Sequence, residues 1–351
     1  MRTLLLASIM TLTLSSLALA AELKPLNSDV EPDRIDWSQL AAKFGPFPKP
    51  APGTKVGAVS KTLTNKYWRM LGQGYQNFGK TAGVPVVYQA AQSEGDQLGQ
   101  LSIVENLITQ GETVLLLSPQ TDANLQPAPE EATKAGIPVI DVNDAVIPQV
   151  EHYVGNVQRD NGVRVARWFI GNRRAGGKLA VIEGQAGVYA AVQRTDGFKA
   201  TLAKEGGKFP VSASVSGNWD RQISFDAETT ILQQHPDLIG IYCNNDTMAL
   251  GVVEAVEAAG LGGKVAVFGT DGISDAYVSI RAGDLTGTVD SFPILTGEIA
   301  METALRVAAK QALPRVVSTS QALITKDNVE RYKGQGVAER KVLIEAAAAA
   351  K

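Results

Sequence analysis

Two aromatic residues and an asparagine lie close together after an early apolar run. They are Asn65, Tyr67 and Trp68, at the end of the polar segment 60–68. Aromatic rings stack on the C–H faces of sugar rings, and an amide both donates to and accepts from hydroxyl groups. The trio therefore indicates recognition of a hydroxylated ring, although the same two aromatics would also suit the buried face of a helix.

Short polar segments follow three further apolar runs. They are residues 118–122, 141–144 and 244–247. Their amide, hydroxyl and carboxylate groups can meet ligand hydroxyls from several directions. The same residue types are preferred helix N-caps. We therefore interpret Asp122, Asp160 and Asp246 as helix caps in preference to ligand-binding residues.

An opposed pair of charges is the third candidate feature. Asp271 ends one apolar run, and Arg194 stands in the segment 193–198. A carboxylate accepts two hydroxyl hydrogen bonds, and a guanidinium donates several in a matching plane. Opposite charges also let both groups stay ionised where water is excluded. The pair suits a neutral, hydroxyl-rich ligand better than a large anion, which would need more cations.

The residue patterns of common enzyme sites are absent from the sequence. There is no phosphate-binding loop, Gly72-x-Gly74 lacks the third glycine of a dinucleotide site, and no G-x-S-x-G elbow occurs. Cys243 has no histidine nearby in sequence. The two histidines, His152 and His235, do not form a zinc motif, and each is expected at the surface or as a cap. We predict no catalytic residues, no metal and no cofactor.

Apolar runs alternate with helix-length segments from residue 55 onward, and the alternation starts again after residue 156. Such runs predict buried parallel strands covered by helices on both faces. We expect two doubly wound α/β lobes, with ligands bound outside the carboxyl ends of the strands. The predicted strands are 56–60, 84–88, 114–118, 137–142, 178–183, 211–216, 238–243, 264–269 and 285–290.

Composition and net charge limit the domain number of the protein and the kinds of partner that it can bind. The chain has 351 residues, of which 44% are hydrophobic and 20% charged, and its length suits two domains. The net charge of -3 gives no basic field for nucleic acid. The single cysteine excludes a disulfide framework within the chain.

The first 53 residues differ from the rest. Arg2 and the apolar run 4–19 end in small residues, which predicts a secretory signal peptide, residues 1–20, cleaved after Ala20. Residues 21–53 form a proline-rich N-terminal extension with one helix-like patch, 35–44. We expect this extension to pack on the surface of a lobe. Its apolar contacts would be Trp37, Leu40 and Phe44.

Three motifs make the chain resemble the periplasmic sugar-binding proteins of the ribose and galactose type, from about residue 55 to about residue 325. Residues 244–251 match the family's asparagine-aspartate-x-methionine-alanine-leucine-glycine signature. Residues 268–272 match its glycine-x-aspartate-glycine turn, and Arg194 with Gly197 and Phe198 matches its arginine-x-x-glycine-phenylalanine element. The resemblance implies a type I periplasmic binding protein fold, with two Rossmann-like lobes joined by a three-strand hinge.

The resemblance also implies the residues of the pocket. Tyr67 and Trp68 would form one aromatic wall and Trp219 the other. The polar contacts would be Asn65, Ser118, Asn143, Asp144, Arg194, Asn245, Asp271 and Ser291. The chain departs from the family in three places. The family has an aspartate-arginine pair where this chain has Asn143-Asp144, an asparagine where it has Ser118 and a glutamine where it has Ser291. We therefore expect a ligand other than ribose, of pentose or of tetritol or pentitol size.

Further expectations follow from the resemblance. The lobes would comprise residues 54–157 with 292–323, and residues 158–291 with 324–335. The chain would cross between them near residues 156–159, 291–293 and 324–327. The partners would be a small neutral sugar or polyol and, in the inner membrane, a permease and an ATPase. The protein would be a periplasmic monomer and would not bind nucleic acid.

Other functions remain open at the level of sequence. A sensory protein that presents its ligand to a membrane receptor would have the same sequence features. A transcription regulator of the same fold is disfavoured because a signal peptide and a proline-rich arm occupy the place of its DNA-binding helices. An enzyme is less favoured because the chemistry is missing, although fold alone does not decide function.

Overall fold

The structure is a computed structural model that describes residues 23–332. The predicted signal peptide and its cleavage site lie outside these residues, as does the end of the second predicted lobe. Within residues 23–332, no helix is long and apolar enough to cross a membrane.

A first sheet of seven parallel strands gathers the early strands of the chain. Its order is β1-β12-β6-β5-β4-β2-β3. The strands are β1 (Arg34–Asp36), β2 (Val56–Ser60), β3 (Val86–Ala90), β4 (Val114–Leu117), β5 (Val139–Val142), β6 (His152–Gly155) and β12 (Val316–Ser318). Its central strands are buried along their whole length, which explains their continuous apolar runs.

A second sheet of six strands follows, in the order β13-β11-β10-β9-β7-β8. Its strands are β7 (Lys178–Glu183), β8 (Val211–Ser216), β9 (Leu238–Cys243), β10 (Ala266–Asp271), β11 (Gly287–Asp290) and β13 (Ala322–Thr325). All of its pairings are parallel except β13 with β11. The predicted α/β class with two parallel-sheet lobes is confirmed. Short or edge strands such as β1, β6, β12 and β13 were not predicted, because three or four residues carry little periodicity.

Helices cover both sheets. They are α1 (Leu40–Phe44), α2 (Lys66–Ala82), α3 (Gln97–Thr109), α4 (Pro127–Lys134), α5 (Gln158–Asn172), α6 (Tyr189–Glu205), α7 (Arg221–Gln234), α8 (Asp246–Ala258), α9 (Ser274–Ala282), α10 (Pro293–Ala308) and α11 (Val329–Tyr332). In the first lobe α2 packs closely on α10. A Cβ on Gly74 would lie 2.1 Å from the carbonyl oxygen of Ile294, so this glycine serves helix packing.

The chain changes sheet three times. The first change lies between β6 and α5, and the second lies between β11 and α10, where Phe292 adopts φ 51°. The third lies between β12 and β13, a few residues before the predicted stretch 324–327. The exact lobe boundaries stay a prediction.

The N-terminal extension differs in part from its prediction. The patch 35–44 is not one helix, because its start pairs with β12 as strand β1 and a short 3₁₀ turn, Trp37–Gln39, precedes α1. Trp37 and Leu40 are buried in the core, and Phe44 packs against it, as expected. His152 is also corrected, since it is a buried residue of β6 and not a surface or capping residue.

One carboxyl lies buried in the second lobe without a partner. Glu228, on α7, is inaccessible to solvent, and neither carboxyl oxygen has a hydrogen-bond partner among the described residues. Burial raises its pKa to about 8. The folded protein therefore favours the protonated form at neutral pH, and ionisation of this group opposes folding.

Glu228→Gln should stabilise the protein increasingly as pH rises. The pKa of Glu228 is raised in the folded state, so its unfavourable contribution begins near the unfolded value of about 4.5 and is complete above about pH 8. Above pH 8 the gain in free energy of unfolding should reach a few kcal/mol, because a pKa difference of one corresponds to about 1.4 kcal/mol. Thermal melts from pH 5 to pH 9 check this, with exposed Glu257→Gln as the control. Parallel curves for the Glu228 variant and wild type would contradict it.

Candidate ligand-binding site

Loops at the carboxyl ends of both sheets meet around one cavity. The empty space at the cavity, together with the solvent-filled opening that leads to it, is about 260 Å³. It is lined by residues from both lobes: Asn65, Tyr67, Trp68, Glu94, Asp144, Arg194, Trp219, Asn245 and Asp271. The site thus lies where doubly wound sheets bind ligands.

The first-lobe wall is the start of α2. Asn65 is its N-cap, because Asn65 Oδ1 accepts a hydrogen bond from the backbone N–H of Tyr67 at 3.0 Å. The rings of Tyr67 and Trp68 are both buried and pack edge to face, with centroids 4.8 Å apart. The capping bond therefore fixes the turn that presents the two aromatic side chains.

Trp219 supplies the wall of the second lobe. Asn218 and Trp219 both have positive φ values, 51° and 63°, so the backbone turns sharply after β8. A Cβ on Gly184 would lie 2.1 Å from the indole ring, so only glycine lets Trp219 lie against this backbone. The indole Nε1 is buried and has no hydrogen-bond partner among the described residues. It is a donor that a ligand hydroxyl in this cavity can satisfy.

A charge network links the two lobes. Arg194 Nη1 lies 3.6 Å from Asp271 Oδ1, and Arg194 Nη2 lies 3.9 Å from Asp144 Oδ1. Asp144 also pairs with Lys61, which is fully buried. The two Arg194 distances are longer than normal hydrogen bonds, so these N–H groups retain capacity for ligand hydroxyls.

The carboxyl groups have altered proton affinity. Burial raises the pKa of Asp271 well above its usual range, against the opposing effect of the Arg194 charge. Burial likewise raises the pKa of Glu94, against the effect of Lys61. Three carboxyl groups, those of Glu94, Asp144 and Asp271, lie near two cations, Lys61 and Arg194. The site is electrically neutral when one of these carboxyl groups is protonated. Such a site gives little support to a ligand that carries a net charge.

Lys61 and Glu94 were not predicted as site residues. The Lys61 ammonium lies 5.8 Å from the ring centre of Trp68 and 5.7 Å from that of Trp219. Glu94 Oε1 accepts a hydrogen bond from Trp68 Nε1 at 3.3 Å, and Glu94 Oε2 has no partner among the described residues. Both residues stand in loops that directly follow strands, which the sequence indicates, but the sequence does not indicate their burial.

The structure brings eight of the eleven predicted site residues to the cavity wall, and three lie behind it. Ser118 Oγ donates to the carbonyl of Val142 at 2.7 Å. Asn143 donates to the Tyr67 hydroxyl and accepts from another side chain. Ser291 holds the Asp271 carbonyl through its backbone N–H and, at 3.3 Å, its hydroxyl. These three residues support the wall, because their polar atoms are committed to other protein groups.

Gln158 joins the two halves of the site. Its Oε1 accepts from Arg194 Nε at 2.9 Å, and its Nε2 donates to Asn143 Oδ1 at 2.6 Å and to Asn156 Oδ1 at 2.8 Å. Gln158 is fully buried at the first change of sheet. Through it, Arg194 of one lobe, which lines the cavity, is linked to Asn143 of the other.

Asp246 positions the turn that carries Asp271. It was interpreted as a helix cap, but Asn245 caps α8. The buried Asp246 carboxylate instead accepts from the backbone N–H groups of Gly272 and Ile273, at 2.8 and 3.0 Å, and from Thr288 Oγ1 at 2.6 Å. These bonds hold Asp271 at a φ of 125°, a conformation that costs energy in a non-glycine residue.

Asp122 and Asp160 also differ from the predicted caps. Asp122 Oδ1 accepts from the backbone N–H groups of Val146 and Tyr189, so it bridges the two lobes. Asp160 lies in the first turn of α5 and forms an ion pair with Arg164. Neither carboxylate caps the helix that follows it.

Contacts across the cleft show that the two lobes are closed on each other. Lys66 Nζ and Asp275 Oδ1 form an ion pair at 2.8 Å. The backbone N–H of Ala190 donates to the Asp144 carbonyl at 3.1 Å. The cavity is thus enclosed from both sides.

The sequence of this chain is similar to those of known periplasmic binding proteins. Residues 56–312 match the model of the periplasmic binding protein domain. The chain is 36% identical over 249 residues to the D-allose-binding periplasmic protein of Escherichia coli K12, covering 68% of this chain and 79% of that protein.

Two solved structures resemble it as well. A periplasmic solute-binding protein of an ABC transporter from Actinobacillus succinogenes, with bound D-allose, has a TM-score of 0.76 and 31% identity, covering 80% of this chain and all of that one. An ABC transporter solute-binding protein from Mycobacterium smegmatis, with bound glycerol, has a TM-score of 0.75 and 29% identity, covering 81% and 98%.

Asp246→Ala should lower the free energy of unfolding by about 3 kcal/mol, because three buried donors lose their acceptor at roughly 1 kcal/mol each. Urea unfolding of the ligand-free protein measures the change. Asp327→Ala removes an exposed carboxylate from the same lobe and serves as the control. A loss no larger than that of the control would show that Asp246 does not hold the turn.

Proposed function

Since this chain belongs to the periplasmic binding protein domain family, we propose that it is the sugar-binding subunit of an ABC importer. It captures a small neutral sugar or polyol in the cavity between its lobes. The observation that carries this function is the combination of buried aromatic walls with a charge network that is balanced within the protein. Aromatic faces bind C–H surfaces, and the polar groups bind hydroxyls.

The proposed ligand has the size of a pentose or of a tetritol or pentitol. Lys61 Nζ lies 5.8 and 5.7 Å from the ring centres of Trp68 and Trp219, so the space between the two aromatic walls suits a small ligand. The similar solved structures hold ligands on either side of this size, glycerol and D-allose. The replacement of an arginine by Asp144, paired with Lys61, favours a hydroxyl pattern other than that of ribose.

All eleven predicted residues serve the site in this proposal. Eight contact the ligand, and Ser118, Asn143 and Ser291 hold those contacts in place. Lys61 and Glu94 add a donor and an acceptor next to the two tryptophans. No step of bond-breaking chemistry is assigned to the site, and the protein is a binding protein and not an enzyme.

The partners follow from this function. The signal peptide directs the chain to the periplasm and is cleaved after Ala20. There the closed, loaded form delivers its ligand to a permease in the inner membrane, which an ATPase drives. The protein acts as a monomer, because its own two lobes complete the cavity.

A thermal-shift screen of the mature protein tests the proposed ligand class. We expect one pentose, tetritol or pentitol to raise the melting temperature most, because a ligand that binds only the folded state stabilises it. Hexoses, including D-allose, and amino acids complete the panel. A largest shift with D-allose would correct the ligand size, and a shift with amino acids alone would contradict the ligand class.

Two variants test whether the sugar binds in the cavity between the lobes. Trp219→Ala removes one wall of the cavity, so at a ligand concentration near Kd the shift of the best sugar should disappear. Glu257→Gln, at an exposed site on α8, should keep the full shift. An unchanged shift in Trp219→Ala would place the sugar elsewhere on the protein.

A further inference from the structure

A segment that precedes the matched family domain lies across both lobes. The family model begins at residue 56. Residues 26–33, here called the strap, run from the first lobe past the starts of α5 and α6 and lead into β1. The strap therefore lies outside the residues that the family model matches.

Both ends of the strap are fixed to the first lobe. The backbone N–H of Leu26 donates to the Pro148 carbonyl at 2.8 Å, and the Leu26 side chain is buried in a core cluster of this lobe. At the other end, Asp33 accepts from the backbone N–H groups of Arg315 and Val316, both at 3.0 Å. The middle of the strap is thus anchored on either side.

The middle of the strap contacts the second lobe at α5. Asp29 Oδ1 and Oδ2 accept from the backbone N–H groups of Gln158 and Arg159, at 2.9 and 2.7 Å. The N-cap residue of α5 is Val157, whose side chain cannot accept a hydrogen bond. Asp29 therefore supplies from the strap the capping oxygen atoms that the helix itself lacks.

The strap also contacts the first residue of α6. The Tyr189 hydroxyl donates to Asn27 Oδ1 at 2.7 Å and accepts from the backbone N–H of Asp29 at 3.2 Å. The Arg34 guanidinium donates to the carbonyls of Ser28 and Asp29, which fixes the conformation of this part of the strap. The middle of the strap thus contacts the start of α6 in a defined geometry.

The two helices that the strap contacts carry the groups that complete the cavity. Arg194 lies on α6, and Gln158, which orients it, is the first residue of α5. Given the proposed function, we propose that Asn27 and Asp29 are positioning residues for ligand binding. They hold the starts of α5 and α6 against the first lobe, and so favour the closed arrangement in which Arg194 faces Asp144.

The contact with Tyr189 separates this role from simple helix capping. Loss of Asp29 would remove the cap of α5, and so would lower the stability of the second lobe as well as the contact between the lobes. A bond between Asn27, anchored to the first lobe, and Tyr189, on the second, contributes only while the lobes are together. Loss of that bond should lower the fraction of the protein that is closed. The Kd should rise by the factor by which this fraction falls.

A double-mutant cycle in the full mature protein tests the positioning role. D-Allose is the probe, and its Kd and dissociation rate are measured for wild type, Asn27→Ala, Tyr189→Phe and the double variant. Each single change should raise Kd about five- to tenfold, mainly through faster dissociation, on the scale of one lost hydrogen bond. The double variant should resemble Tyr189→Phe, because the bond between Asn27 and Tyr189 is already lost in that single variant. Asp36→Ala is the control: among residues 23–332 the Asp36 side chain bonds only to Ser38, so this change should leave Kd unchanged.

A second readout requires no ligand. Spin labels at Glu105→Cys and Asp226→Cys report the distance between the lobes, and the native Cys243 is buried and does not compete for label. In the ligand-free protein, Asn27→Ala and Tyr189→Phe should move the distance distribution toward longer values. Unchanged distances and unchanged Kd would overturn the strap proposal. Unchanged distances with a raised Kd would also overturn it. Failure of wild type to bind D-allose, with distances that do shift, would keep it and count against D-allose alone.

Discussion

The balance of buried charge in the cleft is the constraint on which the site depends. Lys61, Asp144, Arg194 and Asp271 are all almost completely removed from water, and an unpaired charge in such surroundings is costly. The four groups therefore have to stay within reach of one another. Because two of them belong to each lobe, their attraction acts across the cleft, and a ligand must fit among charges that already compensate each other.

The fold supplies this arrangement by bringing the carboxyl ends of two sheets together. Each cavity-lining group lies at the end of a strand, in the loop after it or in the first turns of the following helix, where caps such as Asn65 and Asn245 fix the backbone. Asp246 and Gln158 provide a second layer of hydrogen bonds behind Asp271 and Arg194. The strap, which precedes the residues that the family model matches, adds contacts to the starts of α5 and α6. Positions that are strained locally, such as Asp271 and Trp219, are held by these surroundings.

Much of this was accessible from the sequence, because parallel strands leave long apolar runs and their ends are marked by polar loops. The two-lobed fold and the residues at those ends followed from that pattern together with the motifs around Asn245 and Asp271. Lys61 and Glu94 escaped because a lone charge in a loop resembles any solvated residue until its burial is known. The strap escaped for a different reason. Its contacts with α5 and Tyr189 join residues about 130 and 160 positions apart, which no local pattern records.

The most direct test of the central claim compares a neutral sugar with its own anion. Calorimetric titration with the sugar found by screening and with its aldonate holds size and hydroxyl pattern nearly constant while it adds one charge. A cavity whose charges are already balanced should bind the neutral molecule at least about 100-fold more tightly, which corresponds to about 2.7 kcal/mol. Equal or tighter binding of the aldonate would show that the site holds uncompensated positive charge and would contradict the account.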